Sequence, residues 1–183
     1  KIKYGLLPRP HFVTKNLAIL RDDNEIGIVE NFRINIKANN FFSFNGIQFK
    51  DLIFNKSDFN IYQEDLVFFE NLLKTEPSEN RIIFKNSNIF FKDDNDDILF
   101  INKIKKSEFY YDSYNLVNVL KSKNEIFNIP YKLIIKNDKF NKLVSTDFNS
   151  QKIRLSIENK ISYDSDVQQG LMEILFVNQR TAL

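Results

Sequence analysis

The sequence contains no cysteine and no tryptophan, one histidine, one methionine, four glycines and four prolines among its 183 residues. Without cysteine there is neither a disulfide framework nor a thiolate metal site. A lone histidine cannot supply a His-based ligand set, and His11, beside Pro10 where a strand begins, reads as structural. There is no Gly-rich phosphate loop and no nucleophile elbow. No apolar run approaches the ~20 residues of a membrane span, and no signal peptide is present. Both an anchor and a leader are compatible with sequence upstream of Lys1. The chain starts there without an initiator Met, so it is expected to be a piece of a longer polypeptide.

Charge excludes further classes. The formal net charge of +2 is interleaved along the chain and forms no basic stripe, which argues against nucleic acid as a partner. The densest basic run, Lys103-Ile-Lys-Lys106, reads as a solvated strand end. Carboxylates fall mostly in turns or at outward strand positions, with no acid–base pair set among apolar residues. Neither an enzyme nor a cofactor is expected. The run Asp93–Asp97 holds four carboxylates in five residues. An EF-hand loop needs Gly at its sixth position and Glu at its twelfth. Ile98 and Ile104 stand there, so the run reads as a hairpin turn and no metal is expected.

What is abundant is Lys, Asn, Ile and Phe, together 86 residues. All four have A/T-rich codons, so pattern counts for more than amount. The organising stretch is 26–63. Phe32, Ile34 and Ile36 alternate with Arg33, Asn35 and Lys37, the period of a half-buried strand. Phe12–Leu20 reads as the strand before it, turned by Arg21–Asn24, with Glu25–Ala38 returning antiparallel. Asn45-Gly46 signals a turn into a strand at 47–54, whose alternation changes parity near Lys50-Asp51 and suggests a bulge. A short turn at Asn55–Asp58 and a strand at 59–63 come next.

The period then changes. Leu66, Phe69 and Leu73 share a helical face, with carboxylates early and Lys74 late, so a helix is expected over 65–74, closed by Pro77. Strands resume at Ile82–Lys85 and Asn88–Lys92, bent at Asn86-Ser87, and Ile98–Tyr111 returns after the acidic turn. A short helix is expected over Tyr114–Lys121. A hairpin around Ile129-Pro130 and strands near 140–148, 151–159 and 170–178 complete the chain. The echo of Phe49-Lys-Asp-Leu-Ile-Phe in Phe84-Lys-Asn-Ser-Asn-Ile-Phe suggests a repeated unit.

The fold expected is therefore mainly β, one curved antiparallel sheet with one or two short helices, in a single domain spanning 1–183. Its apolar face has two readings. One is a closed core against a second layer. The other is a concave groove open to a ligand with long acyl chains, lined by Phe32, Ile34, Ile36, Ile47, Phe49, Phe59 and Ile61. Periodicity does not separate them.

The order of elements resembles the N-terminal region of the AsmA family, bacterial envelope proteins related to bridge-like lipid-transfer proteins with a repeating β-groove. The likeness runs from Leu7-Pro-Arg-Pro-His-Phe-Val-Thr-Lys-Asn-Leu-Ala-Ile19 through Phe32-Arg-Ile-Asn-Ile-Lys37, Phe41-Phe-Ser-Phe44 and Ile47–Tyr62 to Arg81–Asp93 and Phe127–Leu133. The family's glycines and small residues are largely Asn, Lys and Phe here. The resemblance implies a non-enzymatic periplasmic segment that binds and transfers phospholipid and supports outer-membrane homeostasis. It implies an anchor upstream of Lys1 in the inner membrane of a Gram-negative bacterium, and further β-repeats of the same chain as partners. The alternative is a structural or protein-interaction β-domain without lipid.

Overall fold

The alternating runs form strands, and the strands assemble in chain order. The computed structural model describes residues 2–21, 24–37, 48–62, 65, 80–163, 169–177 and 179–182. Its strands are β1 (Lys3–Gly5), β2 (His11–Arg21), β3 (Asn24–Ile36), β4 (Phe49–Tyr62), β5 (Arg81–Lys92), β6 (Ile98–Asp112), β7 (Val117–Ile126), β8 (Ile129–Asp138), β9 (Leu143–Ser150), β10 (Leu155–Ser162), β11 (Gln169–Phe176) and β12 (Gln179–Ala182). They make one twelve-stranded sheet in that order, curved and open.

Every pairing is antiparallel except β4 with β5, which run parallel, Asp51 beside Arg81 and Tyr62 beside Lys92. The turns therefore gather along two rims. One carries the start of β5 and the turns 113–116 and 139–142. The other carries the turns 93–97, 127–128 and 151–154.

Several local expectations are corrected. No helix forms over Tyr114–Lys121: residues 113–116 are a turn and Val117 opens β7. The Asp112 carboxylate accepts from the Tyr114 and Asn115 N–H groups at 3.1 and 3.3 Å and holds that turn. The next hairpin turns at Phe127-Asn128, both in the left-handed region (φ 50° and 60°), the conformation of a tight two-residue hairpin. Pro130 lies within β8 instead. The helix expected over 65–74 lies outside the described residues apart from Asp65, as do Asn45-Gly46 and Ile47. The acidic turn is as expected, Asp93 Oδ1 accepting from the N–H groups of Asn95 and Asp97 at 2.9 Å each. So is the bulge, since Asn35 pairs with Asp51 and Ile36 with Phe49, leaving Lys50 extra.

The larger correction concerns 55–58, which is a bend within the continuous strand β4 and not a turn between two strands, while Asn86-Ser87 bends β5 as expected. Asn16, Lys56 and Asn86 have φ of 51°, 54° and 49°. The ladders skip Asn16 with Glu30, Glu30 with Lys56, and Asn86 with Lys105, and Lys105 is the extra residue between β6 and β7. One crease thus crosses β2 to β6. A left-handed residue in a strand rotates the residues beyond it, so side-chain parity changes across the crease. Phe54 and Phe59, of opposite parity, both pack on the Phe84 ring.

The parallel pairing also resets the internal echo. Ile53, Phe54 and Ser57 sit in register with Ile83, Phe84 and Ser87, rather than Phe49 with Phe84.

Candidate functional site

Following cross-strand partners from Phe84 assigns the faces. On one side lie Phe32 and Ile34 before the crease with Val29 beyond it, Phe54 with Phe59 and Ile61, and Phe84 with Ile89 and Phe91. The same face continues through Phe109, Leu120, Leu133, Phe148, Ile157 and Ile174. The opposite face carries most of the charged and polar pairs, although Ile53, Ile83, Phe90, Ile101, Val117 and Val119 also lie on it. There Asn35 donates to Asp51 at 3.0 Å, Asn86 to Asn55 at 3.2 Å and Asn88 to Asp58 at 2.8 Å. Salt bridges join Lys56 to Glu30 and Lys103 and Lys105 to Glu125. The Lys56 ammonium holds the Glu30 carboxyl below its ordinary range, and Lys105, then Lys103, do the same to Glu125.

The expected groove residues divide. Phe32, Ile34 and Phe59 are half-buried on the apolar face. Ile36 and Ile61 are 2% and 5% exposed, so they hold the sheet together more than they present a surface. Phe49, opposite Ile36, is 42% exposed where β4 begins. Ile47 is outside the described residues.

The centre of the face is a cluster that strand periodicity did not single out. Phe54 stacks on Phe84 with centroids 4.9 Å apart, Phe32 tilts against Phe54 at 4.8 Å, and Phe59 meets Phe84 edge-on at 5.7 Å. Aromatic pairs prefer these offset and edge geometries. Further along, Phe91 stacks on Phe100 at 4.4 Å and Tyr131 on Phe148 at 5.0 Å. Burial pushes the Tyr131 phenol above its ordinary range. Only the Ile-Phe-x-x-Ser repeat shared by β4 and β5 could have marked Phe54 and Phe84 as neighbours.

Among the described residues this face is a surface, not the inside of a sandwich. The substantial contacts between strands are all between neighbours in the sheet, so among the described residues no second layer packs on it. Buried hydrophobic side chains among those residues are few: Val29, Ile36, Ile61, Ile83, Ile104, Phe109, Val117 and Val119. The whole chain exposes 12815 Å². A monomeric protein of 21.7 kDa would expose about 9,200 Å² by the usual scaling.

Small polar groups line the crease beneath the rings. The Ser57 N–H donates to Ser87 Oγ at 3.2 Å, and Ser87 Oγ donates to the Lys85 carbonyl at 2.9 Å. Ser57 Oγ, fully buried, finds no hydrogen-bond partner among the described residues. His11 is buried where β2 starts, its Nδ1 2.6 Å from the Arg9 carbonyl. Among the described residues, no group of three or more His, Asp and Glu side chains stands close enough to hold a metal. No family model and no curated protein compared with this chain matches it.

Proposed function

We propose that the apolar face binds the acyl chains of lipids with the head groups left near solvent. On this reading the chain is a non-enzymatic segment of an AsmA-like envelope protein that supports phospholipid transport and outer-membrane homeostasis. It would stand in the periplasm of a Gram-negative bacterium, with an inner-membrane anchor upstream of Lys1 and further β-repeats of the same chain continuing the groove. The observation that carries the reading is the open Phe32–Phe54–Phe84–Phe59 surface on a sheet with no second layer among the described residues.

Soluble monomers normally expose contiguous apolar patches of only about a few hundred Å². An acyl chain laid along the rings removes that surface from water at about 0.8 kcal/mol per CH2 buried. Native mass spectrometry of the purified chain tests this. Phospholipid is expected to co-purify with it. Ile34→Asp or Phe84→Asp is expected to abolish the lipid signal with the β-sheet circular dichroism kept. A folded protein that carries and takes up no lipid rejects the reading.

One observation favours the alternative, a structural or protein-interaction β-domain. β1 covers only His11–Val13 of β2, so the edge over Thr14–Leu20 has no strand beside it among the described residues. Open edges accept added strands. Concentration-dependent self-association without lipid binding would decide for that alternative.

A further inference from the structure

The turns of one rim end in exposed apolar side chains. Between β6 and β7, Tyr114 is 93% and Leu116 57% exposed, and between β8 and β9 Phe140 is 86% exposed. Leu116 and Phe140, from separate turns, line one cavity of about 320 Å³, so these tips are neighbours. Leu6 and Leu7, in the turn between β1 and β2, are exposed on the same rim. The opposite rim also exposes apolar side chains, among them Leu99 and Phe127, but its turn at 93–97 holds Asp94, Asp96 and Asp97 out in solvent. Such carboxylates keep that rim in water, whereas the exposed cations beside the apolar tips, Arg9 and Lys142, have long apolar stems.

The two neighbouring turns are built alike. They read Asp112-Ser-Tyr-Asn115 and Asp138-Lys-Phe-Asn141, each followed by a residue at positive φ, Leu116 at 57° and Lys142 at 49°. In each, the carboxylate closes the turn. Asp112 accepts from the Tyr114 and Asn115 N–H groups and from Asn115 Nδ2 at 2.8 Å. Asp138 accepts from the Asn141 N–H and Nδ2 at 2.9 and 2.7 Å. Asp and Asn therefore satisfy backbone donors from within, as a segment entering a poorly hydrated layer requires. The aromatic residue between them takes no part in closing the turn, and its ring is left outside.

We propose that this rim docks on a lipid bilayer, with Tyr114, Leu116 and Phe140 entering its interfacial layer. The occupant follows from the shape and chemistry of the tips. Three such side chains offer at most about 600 Å², less than the roughly 800 Å² per partner of a stable protein interface. Leu6 and Leu7 stand about five strand spacings away, roughly 24 Å along the rim. A fluid surface accepts separated tips, whereas a folded partner would need a matching socket for each. A ring with a polar end, as in Tyr114, suits the boundary between apolar and wet layers. The stems of Arg9 and Lys142 let their charged ends stay hydrated there. The proposal goes beyond the lipid reading and does not need it, because the tips belong to turns and not to the groove.

The chain has no tryptophan, so a single introduced one reports without background. Tyr114→Trp and Phe140→Trp at the rim, Phe32→Trp on the apolar face and Ile28→Trp on the opposite face, where Ile28 is 50% exposed, are titrated with phosphatidylcholine vesicles, plain or with brominated acyl chains. Both rim tryptophans are expected to shift to the blue and to be quenched by bromine, and the one at position 28 to do neither. Tyr114→Ser with Phe140→Ser in one chain should weaken flotation with the same vesicles by about tenfold or more. Quenching at position 32 without quenching at the rim overturns the rim proposal and leaves the lipid reading standing. Quenching at the rim alone supports the proposal and counts against the lipid reading. Equal quenching at position 28, or flotation kept by the serine variant, overturns docking through this rim. A blue shift that follows protein concentration without vesicles assigns the tips to contact between protein chains and overturns the bilayer.

Discussion

Gly27 offers the sharpest test of the packing between β3 and β4. A Cβ built there would stand 2.5 Å from Phe59 Cδ1 and 2.8 Å from the Asp58 carbonyl oxygen. The second contact is with backbone in the ladder, and the first is with a ring already edge-on to Phe84, so neither yields cheaply. Replacing Gly by Ala where no strain results stabilises by about 0.4–1 kcal/mol through the unfolded chain. Overpacking costs about 1–3 kcal/mol, and here it should win. Gly27→Ala is expected to destabilise by about 1–2 kcal/mol, which lowers Tm by roughly 2–8 °C for a chain of this size. Calorimetry and urea titration of the purified chain measure it. Adding Phe59→Leu should recover part of the loss, a coupling that a double-mutant cycle isolates. Gly170, whose Cβ would meet the Lys160 carbonyl oxygen at 3.1 Å and Ile161 Cγ1 at 3.3 Å, is the milder comparison, and Gly170→Ala should stay within about 0.5 kcal/mol of wild type. A Gly27→Ala protein as stable as wild type, or one uncoupled from Phe59, refutes the packing described.

Three further outcomes are expected. Ser57→Ala removes a buried hydroxyl without a partner and should be neutral or stabilise by up to about 1 kcal/mol, whereas Ser87→Ala strips the Ser57 N–H of its acceptor and should cost about 1–2 kcal/mol; denaturant titration separates them. Lys56→Asn puts a residue tolerant of positive φ at the crease and gives up only an exposed ion pair, so it should stabilise by roughly 0.5 kcal/mol, read as a raised midpoint in the same titration. The Asn115 amide and the Asn141 N–H hold the Asp112 and Asp138 carboxyls below their ordinary value of 3.8. Their stabilisation is complete above the unfolded value and is lost as pH falls through the lower folded values. Thermal melts should therefore be flat from neutrality to about pH 5 and fall below about pH 4, less steeply in Asp138→Asn.

Much of the fold was legible because strand alternation is a local property. Phe32, Ile34 and Ile36 face one side because each neighbours residues that face the other. Lys50 shows as a bulge because parity changes on either side of it. The same logic failed at Tyr114–Lys121, where Leu116 and Leu120 stand four apart as a helix would have them. Leu116, with φ 57°, belongs to a turn organised by Asp112, and Leu120 to the strand beyond. Helical spacing over one turn is too short a record to outweigh the pairing of β7 with both β6 and β8. The candidate site was legible only where it stayed within one run. Phe32 and Phe59 were found, but Phe54 and Phe84 join them through a parallel pairing between segments 30 residues apart.

By itself the sequence determined that this chain is mainly β and that it has no cysteine and one histidine, since those depend on which residues exist and how they alternate. Only the tertiary structure shows that no second layer packs on the apolar side among the described residues, because the same period serves a closed core and an open face. It also decided that the interruption at Lys56 is part of a crease shared with Asn86 and not the end of a strand. A left-handed residue breaks alternation in the sequence either way, and only cross-strand hydrogen bonds on both sides of it keep the strand whole and turn Phe59 onto the same face as Phe54.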